Sequence, residues 1–199
     1  MPSLELVLAL VGFAFVTSIT PGPNNLMLLA SGANFGVRRT LPHLLGVAGG
    51  FTLMVGVVGL GLAGVFVAYP SAQAMLRVAS VAYMVWLAWK IATAAPVANG
   101  AGAPGRPMSF VAAAAFQWVN PKGWAMALGA VAAYAPTRSV EAVAVVALVF
   151  GVVNLPSVGA WAVLGQSLRQ LLANPGRLRA FNVAMALLLL ASLVPVIAS

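Results

Sequence analysis

Two polar motifs that contain proline interrupt apolar stretches of this sequence and hold most of the side chains able to bind a solute. The first is Thr20-Pro21-Gly22-Pro23-Asn24-Asn25, and the second is Gln117-Trp118-Val119-Asn120-Pro121-Lys122-Gly123. Proline removes a backbone donor and clashes with the preceding turn, so each motif predicts a bend or break in a helix. In lipid, the freed backbone groups need protein or a water-filled cavity to satisfy them. Because Pro21 and Pro121 lie 100 positions apart, the matched breaks indicate the binding site of a secondary transporter.

The first motif predicts a helix that stops at the prolines and restarts at Asn24 or Asn25. A new helix N-terminus exposes unpaired backbone amides and the positive end of a helix dipole. Such an end binds a carboxylate. Either asparagine can cap the helix, donate to a bound acid or accept from an ammonium. The alternative left open is a proline kink whose asparagines only cap the break.

The second motif offers Gln117, Asn120 and Lys122. A lysine inside a membrane segment is energetically costly and is a functional candidate by default. Its ammonium can pair with a substrate carboxylate or change its protonation state, which makes Lys122 a candidate for proton coupling. The alternative is a lysine whose flexible stem reaches the lipid headgroups. Together the two motifs present donors and acceptors suited to a zwitterion.

Other polar residues in apolar segments are weaker candidates. Asn154 precedes Pro156 in a third polar interruption, where it lines the pathway or bonds a neighbouring helix. His43 is the second candidate for proton coupling, because histidine titrates near neutral pH. A surface position beside the neighbouring arginines is the alternative for His43. Three hydroxyl side chains are expected to satisfy backbone groups of their own helices: Ser18, Thr20 and Thr52.

The composition indicates an integral membrane protein. The chain has 199 residues, of which 62% are hydrophobic and 6% are charged, and soluble domains are far more polar. Its net charge of +8 comes from basic residues scattered beside apolar runs, which indicates juxtamembrane positions rather than nucleic-acid binding. There is no cysteine, and Glu5 and Glu141 are the only acids. The sequence therefore lacks the residues for a metal site. It also lacks the bases and nucleophiles that a membrane-embedded enzyme needs. No cofactor is predicted.

The apolar runs predict an all-α fold of six transmembrane helices. These are Leu4–Phe35, Leu41–Tyr69, Ala72–Ala95, Ser109–Tyr134, Val140–Leu164 and Leu178–Ile197. The first and fourth helices are broken at the proline motifs. Since each half holds an odd number of helices, the second half enters the membrane from the opposite side. The halves are therefore predicted to be inverted three-helix repeats.

The whole chain is predicted to be a single membrane domain, 1–199, in which a linker joins the two repeats. The repeats are residues 1–95 and 108–199, and the linker rich in Pro, Gly and Ala is 96–107. Basic residues concentrate in the loops on one side of this topology. The positive-inside rule then predicts that both termini lie outside the cytoplasm.

At the two motifs the chain resembles the LysE/RhtB family of bacterial amino-acid exporters. The likeness rests on Ser18-Ile19-Thr20-Pro21-Gly22-Pro23-Asn24, on Ala30-Ser31-Gly32-x-x-x-Gly36 with Arg38, on the glycine-rich second helix, and on Gln117-Trp118-Val119-Asn120-Pro121-Lys122. It extends over essentially the whole chain. The resemblance implies proton-driven export across the bacterial inner membrane. It also implies roles for these residues: Pro21, Gly22, Pro23, Asn24, Asn120, Pro121 and Lys122.

One departure from the family bears on the substrate. Some such exporters carry an acidic residue in the second helix, and this chain has none there, which favours a neutral or hydrophobic amino acid over a cationic one. We expect alternating access between the broken helices. The alternatives are an exporter of another small solute or metal ion on the same scaffold, or a structural membrane subunit that does not transport. The expected partners are the amino-acid substrate and the lipid bilayer, with a homodimer left open and nucleic acid excluded.

Overall fold

The computed structural model describes residues 3–62, 64, 68–94 and 105–194, and this part of the chain is helical without any strand. The predicted all-α class is confirmed. We number the α-helices in chain order: α1 Leu4–Ile19, α2 Pro23–Phe35, α3 Val37–Val57, α4 Pro70–Ala92, α5 Phe110–Phe116, α6 Pro121–Tyr134, α7 Val140–Ser167 and α8 Pro175–Ala191. A π-helical turn, Val58–Leu62, continues α3, and a 3₁₀ turn, Gln117–Val119, follows α5.

Three helices of the described residues are long and apolar enough to cross a membrane alone: Val37–Leu62, Ser71–Ala92 and Val140–Ser167. Helices α1 and α2 pass the same test only as a pair, bent by 56° at their junction. The described chain thus holds three candidate spans, or four with the bent pair counted. The predicted six crossings in two inverted repeats remain a prediction.

The first break lies where the sequence predicts it. Thr20 leaves the helical conformation with φ −63° and ψ 146°, and Gly22 is fully extended. Pro23 then begins α2, where its fixed φ suits a helix and its missing N–H is not needed. The three-residue gap between α1 and α2 therefore forms the 56° bend.

The second break follows the same pattern. A 3₁₀ turn, Gln117–Val119, ends α5, Asn120 is extended with ψ 106°, and Pro121 begins α6. Since Pro23 and Pro121 occupy the same first helical position, Pro23 is the structural counterpart of Pro121. The pairing with Pro21 is therefore wrong by two residues, because Pro21 lies in the extended linker before the helix restarts.

Two other expectations need correction. The second predicted helix begins at Val37 rather than Leu41, and Pro42 lies inside it without ending it. The third polar interruption does not exist as a break, since α7 continues through Pro156. A proline near a helix start or within a packed bundle removes one hydrogen bond, and neighbouring groups can compensate. Residues 96–104 of the predicted linker, and the predicted ends at Ala95 and Ile197, lie outside the described residues.

Glycines let the halves of the chain pack backbone to backbone. A Cβ on Gly32 of α2 would meet the carbonyl oxygen of Ala162, and a Cβ on Gly165 of α7 would meet that of Leu29. This is the small-residue packing by which membrane helices approach closely. It fixes α2, which begins at the first break, against α7.

A second close contact joins α3 to α5. A Cβ on Gly46 would meet the carbonyl oxygen of Phe110, and one on Gly50 would lie 2.5 Å from Cα of Ala114. These contacts hold α5, which leads into the second break, against the first half of the chain. Both breaks are thus held by helices from the opposite half.

The turn between α2 and α3 lies beside the end of α7 and the segment before α5. Arg39 Nη2 donates to the Gly105 carbonyl at 3.1 Å, and its guanidinium lies 5.3 Å from the Phe35 ring centre. The Val37 N–H donates to Gln166 Oε1 at 2.7 Å. We call this region, which holds Arg39, the α2–α3 turn and the end of α7, the basic end of the bundle.

The glycine contacts predict that two single substitutions differ in their effect on the free energy of unfolding. Gly165→Ala should lower the free energy of unfolding by about 1–3 kcal/mol, since its Cβ overlaps backbone that cannot move freely. Gly12→Ala, where nothing lies within 4 Å of the added Cβ, serves as the matched control. Melting temperatures of the purified variants in detergent check this. Equal melting temperatures would contradict the assigned α2–α7 contact.

Candidate binding site at the two helix breaks

The carbonyls freed at the end of α1 accept hydrogen bonds from side chains. Asn25 Nδ2 donates to the Ser18 carbonyl at 2.8 Å and to the Thr20 carbonyl at 2.7 Å. Trp161 Nε1, on α7, donates to the Ile19 carbonyl at 3.0 Å. Buried carbonyls need such partners. Asn25 therefore caps the end of α1, and neither asparagine caps α2, which has no side-chain cap.

The Lys122 ammonium bonds the same break from the other half of the chain. Its Nζ lies 2.7 Å from the Thr20 carbonyl, 2.9 Å from Thr20 Oγ1 and 3.3 Å from the Pro21 carbonyl. Lys122 belongs to the first turn of α6, whose positive dipole end repels a cation, and the C-terminal end of α1 attracts one. The side chain therefore reaches across from one break to the other.

Gly22 leaves room for this crossing. A Cβ at position 22 would lie 2.5 Å from Lys122 Cδ and 3.1 Å from its Nζ. The stem of Lys122 thus lies directly over the Gly22 backbone. Any side chain at position 22 would displace it.

A reciprocal amide pair is the second link between the breaks. Asn24 Nδ2 donates to Gln117 Oε1 at 2.8 Å, and Gln117 Nε2 donates to Asn24 Oδ1 at 3.1 Å. Gln117 Nε2 also donates to the Ala113 carbonyl at 2.9 Å, and the Gln117 side chain is fully buried. The pair fixes Asn24 at the start of α2.

Two buried amide oxygens have no hydrogen-bond partner: Asn120 Oδ1 and Asn154 Oδ1. Both side chains are at most 4% exposed. The amide nitrogen of Asn154 donates to Ser18 Oγ at 3.1 Å, which fixes its orientation. An unsatisfied buried acceptor costs about 1–3 kcal/mol, so a hydrogen-bond donor that reached either oxygen would recover that cost.

A small polar cavity of about 20 Å³ lies between the breaks. The first turns of α2 and α6 both line it through Asn24, Asn25, Lys122 and Gly123. Backbone N–H groups in a first helical turn have no intrahelical acceptor. The volume holds about one water molecule, so the space beside the two helix N-termini is smaller than an amino acid in this conformation. Its lining is Thr17, Ser18, Gly22, Asn24, Asn25, Phe51, Asn120, Lys122, Gly123, Met126, Asn154 and Val158.

A wide cavity of about 640 Å³ shares Gly22 and Lys122 with the small one. The three break prolines line it together with polar and apolar side chains of α4, α6 and the end of α8. Its lining is Pro21, Gly22, Pro23, Gln73, Leu76, Arg77, Ser80, Pro121, Lys122, Trp124, Ala125, Leu128 and Ser192.

His43 lies apart from both cavities. Its side chain is 2% exposed, and neither ring nitrogen has a hydrogen-bond partner. The surface position offered as an alternative for His43 is therefore wrong, because α3 begins four residues earlier than expected and buries this turn. His43 lines a third cavity, of about 590 Å³, with Lys90 and Arg106.

Most of the predicted binding residues meet at the breaks. Gly22, Asn24, Asn25, Asn120, Lys122 and Asn154 line the small cavity, and Pro21, Pro23 and Pro121 line the wide one. Gln117 lines neither and instead holds Asn24. In the part of the chain that the structure describes, no cluster of three or more possible metal ligands occurs.

The sequence reasoning missed three residues at the breaks. Ser18 was expected to bond its own helix and instead accepts from Asn154, and Thr20 bonds Lys122 in addition to its own helix. Trp161 was not singled out. It lies seven residues after Asn154, which places both on one face of α7, and that spacing is the signal that could have found it.

Comparison with known proteins places this geometry in a family context. The family model described as LysE type translocator matches residues 6–194. The "Cysteine/O-acetylserine efflux protein" of Escherichia coli O139:H28 is 33% identical over 181 residues, covering 89% of this chain and 90% of the relative. The proteins of that name from Escherichia coli K12 and Shigella flexneri are each 33% identical over 180 residues, with the same shares covered. No solved structure matches the chain.

The amide pair predicts a measurable coupling across the two breaks. Asn24→Leu or Gln117→Leu alone should each lower the free energy of unfolding by about 1–3 kcal/mol, because the remaining amide, buried at Gln117 and partly buried at Asn24, loses its partner. The double variant should lose less than the sum, with a coupling of about 1 kcal/mol. A double-mutant cycle from chemical or thermal unfolding measures this. Additive losses would contradict a direct bond.

Proposed function

The chain belongs to the family of LysE type translocators, whose members are transporters and not enzymes, and on that premise we propose that it exports a small neutral amino acid or a close derivative. The site lies between the two broken helices, and the substrate crosses by alternating access. The observation that carries the proposal is the small cavity lined by the first turns of two helices and by two unpartnered amide oxygens, a space that widens to admit the substrate.

The cavity has complementary groups for both ends of a zwitterion. The first-turn amides of α2 and α6, at Asn24, Asn25, Lys122 and Gly123, are donors at positive helix ends and suit a carboxylate. The free oxygens of Asn120 and Asn154 suit an ammonium, which has donors and no acceptor. A substrate with both groups satisfies both halves of the site at once.

Lys122 supports an acid as substrate because its charge has no anion beside it. Its three acceptors are neutral oxygens. Glu5 and Glu141 begin α1 and α7, and the helix rise puts each about 20 Å along its helix from the breaks. A substrate carboxylate would be the first negative charge at this site.

The substrate's side chain is proposed to be small and neutral. The small cavity contains no acidic residue that could pair with a cationic side chain, and its apolar lining is Phe51, Met126 and Val158. The relatives are named for efflux of cysteine and O-acetylserine, both small neutral amino acids. A substrate of this class agrees with the polarity of the site.

For the orientation in the membrane, we propose that the basic end faces the cytoplasm of a bacterial inner membrane. Arg39 and Arg169 lie there with the α2–α3 turn, and the positive-inside rule favours that side. Both termini then face outward, and the halves are inverted repeats. Lys122 and His43 remain the candidates for proton coupling.

Transport by the purified protein tests the function. In proteoliposomes loaded with a neutral amino acid, we expect counterflow of the labelled compound, found by screening all twenty amino acids and O-acetylserine. Lys122→Ala and Asn24→Ala should abolish it while membrane insertion and abundance stay near normal. Counterflow of none of these compounds, or full activity of both variants, would sink the proposal.

The two amide oxygens proposed to accept from the substrate ammonium give a second prediction. Asn120→Ala and Asn154→Ala should each raise the KM for counterflow about tenfold or more, because a charge-assisted hydrogen bond is worth about 1.5–3 kcal/mol. The matched control is Asn174→Ser, which retains the N-cap of α8 away from the site and should leave the KM unchanged. An equal KM in all three variants would remove the two oxygens from recognition.

A further inference from the structure

Lys122 forms a partition between the two cavities at the breaks. Lys122 and Gly22 are the residues that both cavity linings share, and the lysine stem lies across the Gly22 backbone. On one side is room for about one water, and on the other is a volume of about 640 Å³, within the range of small-molecule pockets. The ammonium is bonded to the opposite break, which holds the lysine stem at the border of the two cavities.

Resting on the proposed function, we propose that the wide cavity is the passage between the small cavity and one side of the membrane, and that the Lys122 ammonium is its latch. An amino-acid carboxylate in the wide cavity opens the latch by drawing the ammonium away from the Thr20 and Pro21 oxygens. The wide cavity is thus proposed as a second substrate site, which recognises the carboxylate of the amino acid.

A carboxylate is a stronger partner for the ammonium than the oxygens it leaves. The bonds that the ammonium makes now have one charged partner, and a carboxylate adds the Coulomb attraction between two opposite charges, which is stronger near a protein than in bulk water. Release of the ammonium also leaves few of its former acceptors without a hydrogen bond. The Thr20 carbonyl keeps its bond from Asn25 at 2.7 Å, and Pro21 is exposed and lines the wide cavity, where water can reach its carbonyl.

The wide cavity carries charge of the sign that a carboxylate needs. Arg77 lines it with Lys122, and its other polar side chains are the neutral Gln73, Ser80 and Ser192. No acid is among the lining residues in the described part of the chain. Two cations in a cavity with low-dielectric walls raise the local concentration of anions.

Thiol labelling tests the latch, because the natural chain contains no cysteine. Thr17→Cys reports on the small cavity and Gln73→Cys on the wide one. A membrane-impermeant, anionic methanethiosulfonate is applied to right-side-out and to inverted vesicles without any amino acid. Thr17→Cys should react slowly when the rest of the chain is natural. When Lys122→Met is added, the labelling rate should rise about tenfold or more, which corresponds to a difference of about 1.4 kcal/mol in the free energy of opening.

The increase should come only from the membrane side that labels Gln73→Cys. Val47→Cys is the control for general loosening, since Val47 is fully buried and lines none of the cavities described above. Unchanged Thr17→Cys labelling, or an equal rise at Val47→Cys, overturns the latch. Lys122→Arg should keep the slow rate. Thr20→Val removes the hydroxyl that accepts from Lys122, together with the bond of that hydroxyl to the Thr17 carbonyl, and should give an intermediate rate even if Lys122→Met does not fold.

A simple carboxylate tests what opens the latch. With Lys122 in place, acetate should raise the labelling rate of Thr17→Cys, and acetamide or chloride at matched ionic strength should not. Equal rates in acetate and chloride would overturn opening by a carboxylate. Both measurements use the resting protein, so a failure here is separate from a failure of amino-acid counterflow.

Discussion

The need to satisfy backbone carbonyls at a broken helix organises this molecule. Where α1 stops, carbonyls from Ser18 to Pro21 lose their helical partners, and lipid offers no replacement. Asn25 supplies a local donor, and Lys122 and Trp161 reach the same break from the second half of the chain. The first half therefore depends on the second for the integrity of its own backbone.

That dependence explains why the helices around the breaks pack so tightly. A hydrogen bond of 2.7 Å from a lysine on one helix to a carbonyl on another requires both backbones to stay within narrow limits. Gly32 and Gly165 hold α2 against α7, and Gly46 holds α3 against α5. Close packing at these distant contacts thus positions the polar bonds at the centre. The breaks are thus polar points held by the surrounding rigid contacts, and the proposed substrate site lies there.

Part of this arrangement follows from the sequence and part does not. Proline chemistry is local, so the two proline motifs predict both breaks, although α2 begins at Pro23 rather than at Asn24 or Asn25, and the cost of Lys122 in lipid makes it a candidate site residue. What each side chain binds depends on which helices meet, and local pattern does not contain that information. The carbonyl partners of Lys122, the pairing of Gln117 with Asn24, and the burial of His43 all arise from contacts between distant segments.

The Lys122 ammonium has no counter-charge beside it, and the proposed recognition of a carboxylate depends on that charge. Lys122 is held by neutral oxygens, and the oxygens of Asn120 and Asn154 have no donor. A protein built only for stability would pair these groups with each other or replace them with apolar side chains, since unpaired buried groups are costly. Here a donor and two acceptors border one small cavity without meeting. Under the proposed function, the substrate amino acid brings both kinds of group to this cavity, with its carboxylate for the donors and its ammonium for the two oxygens.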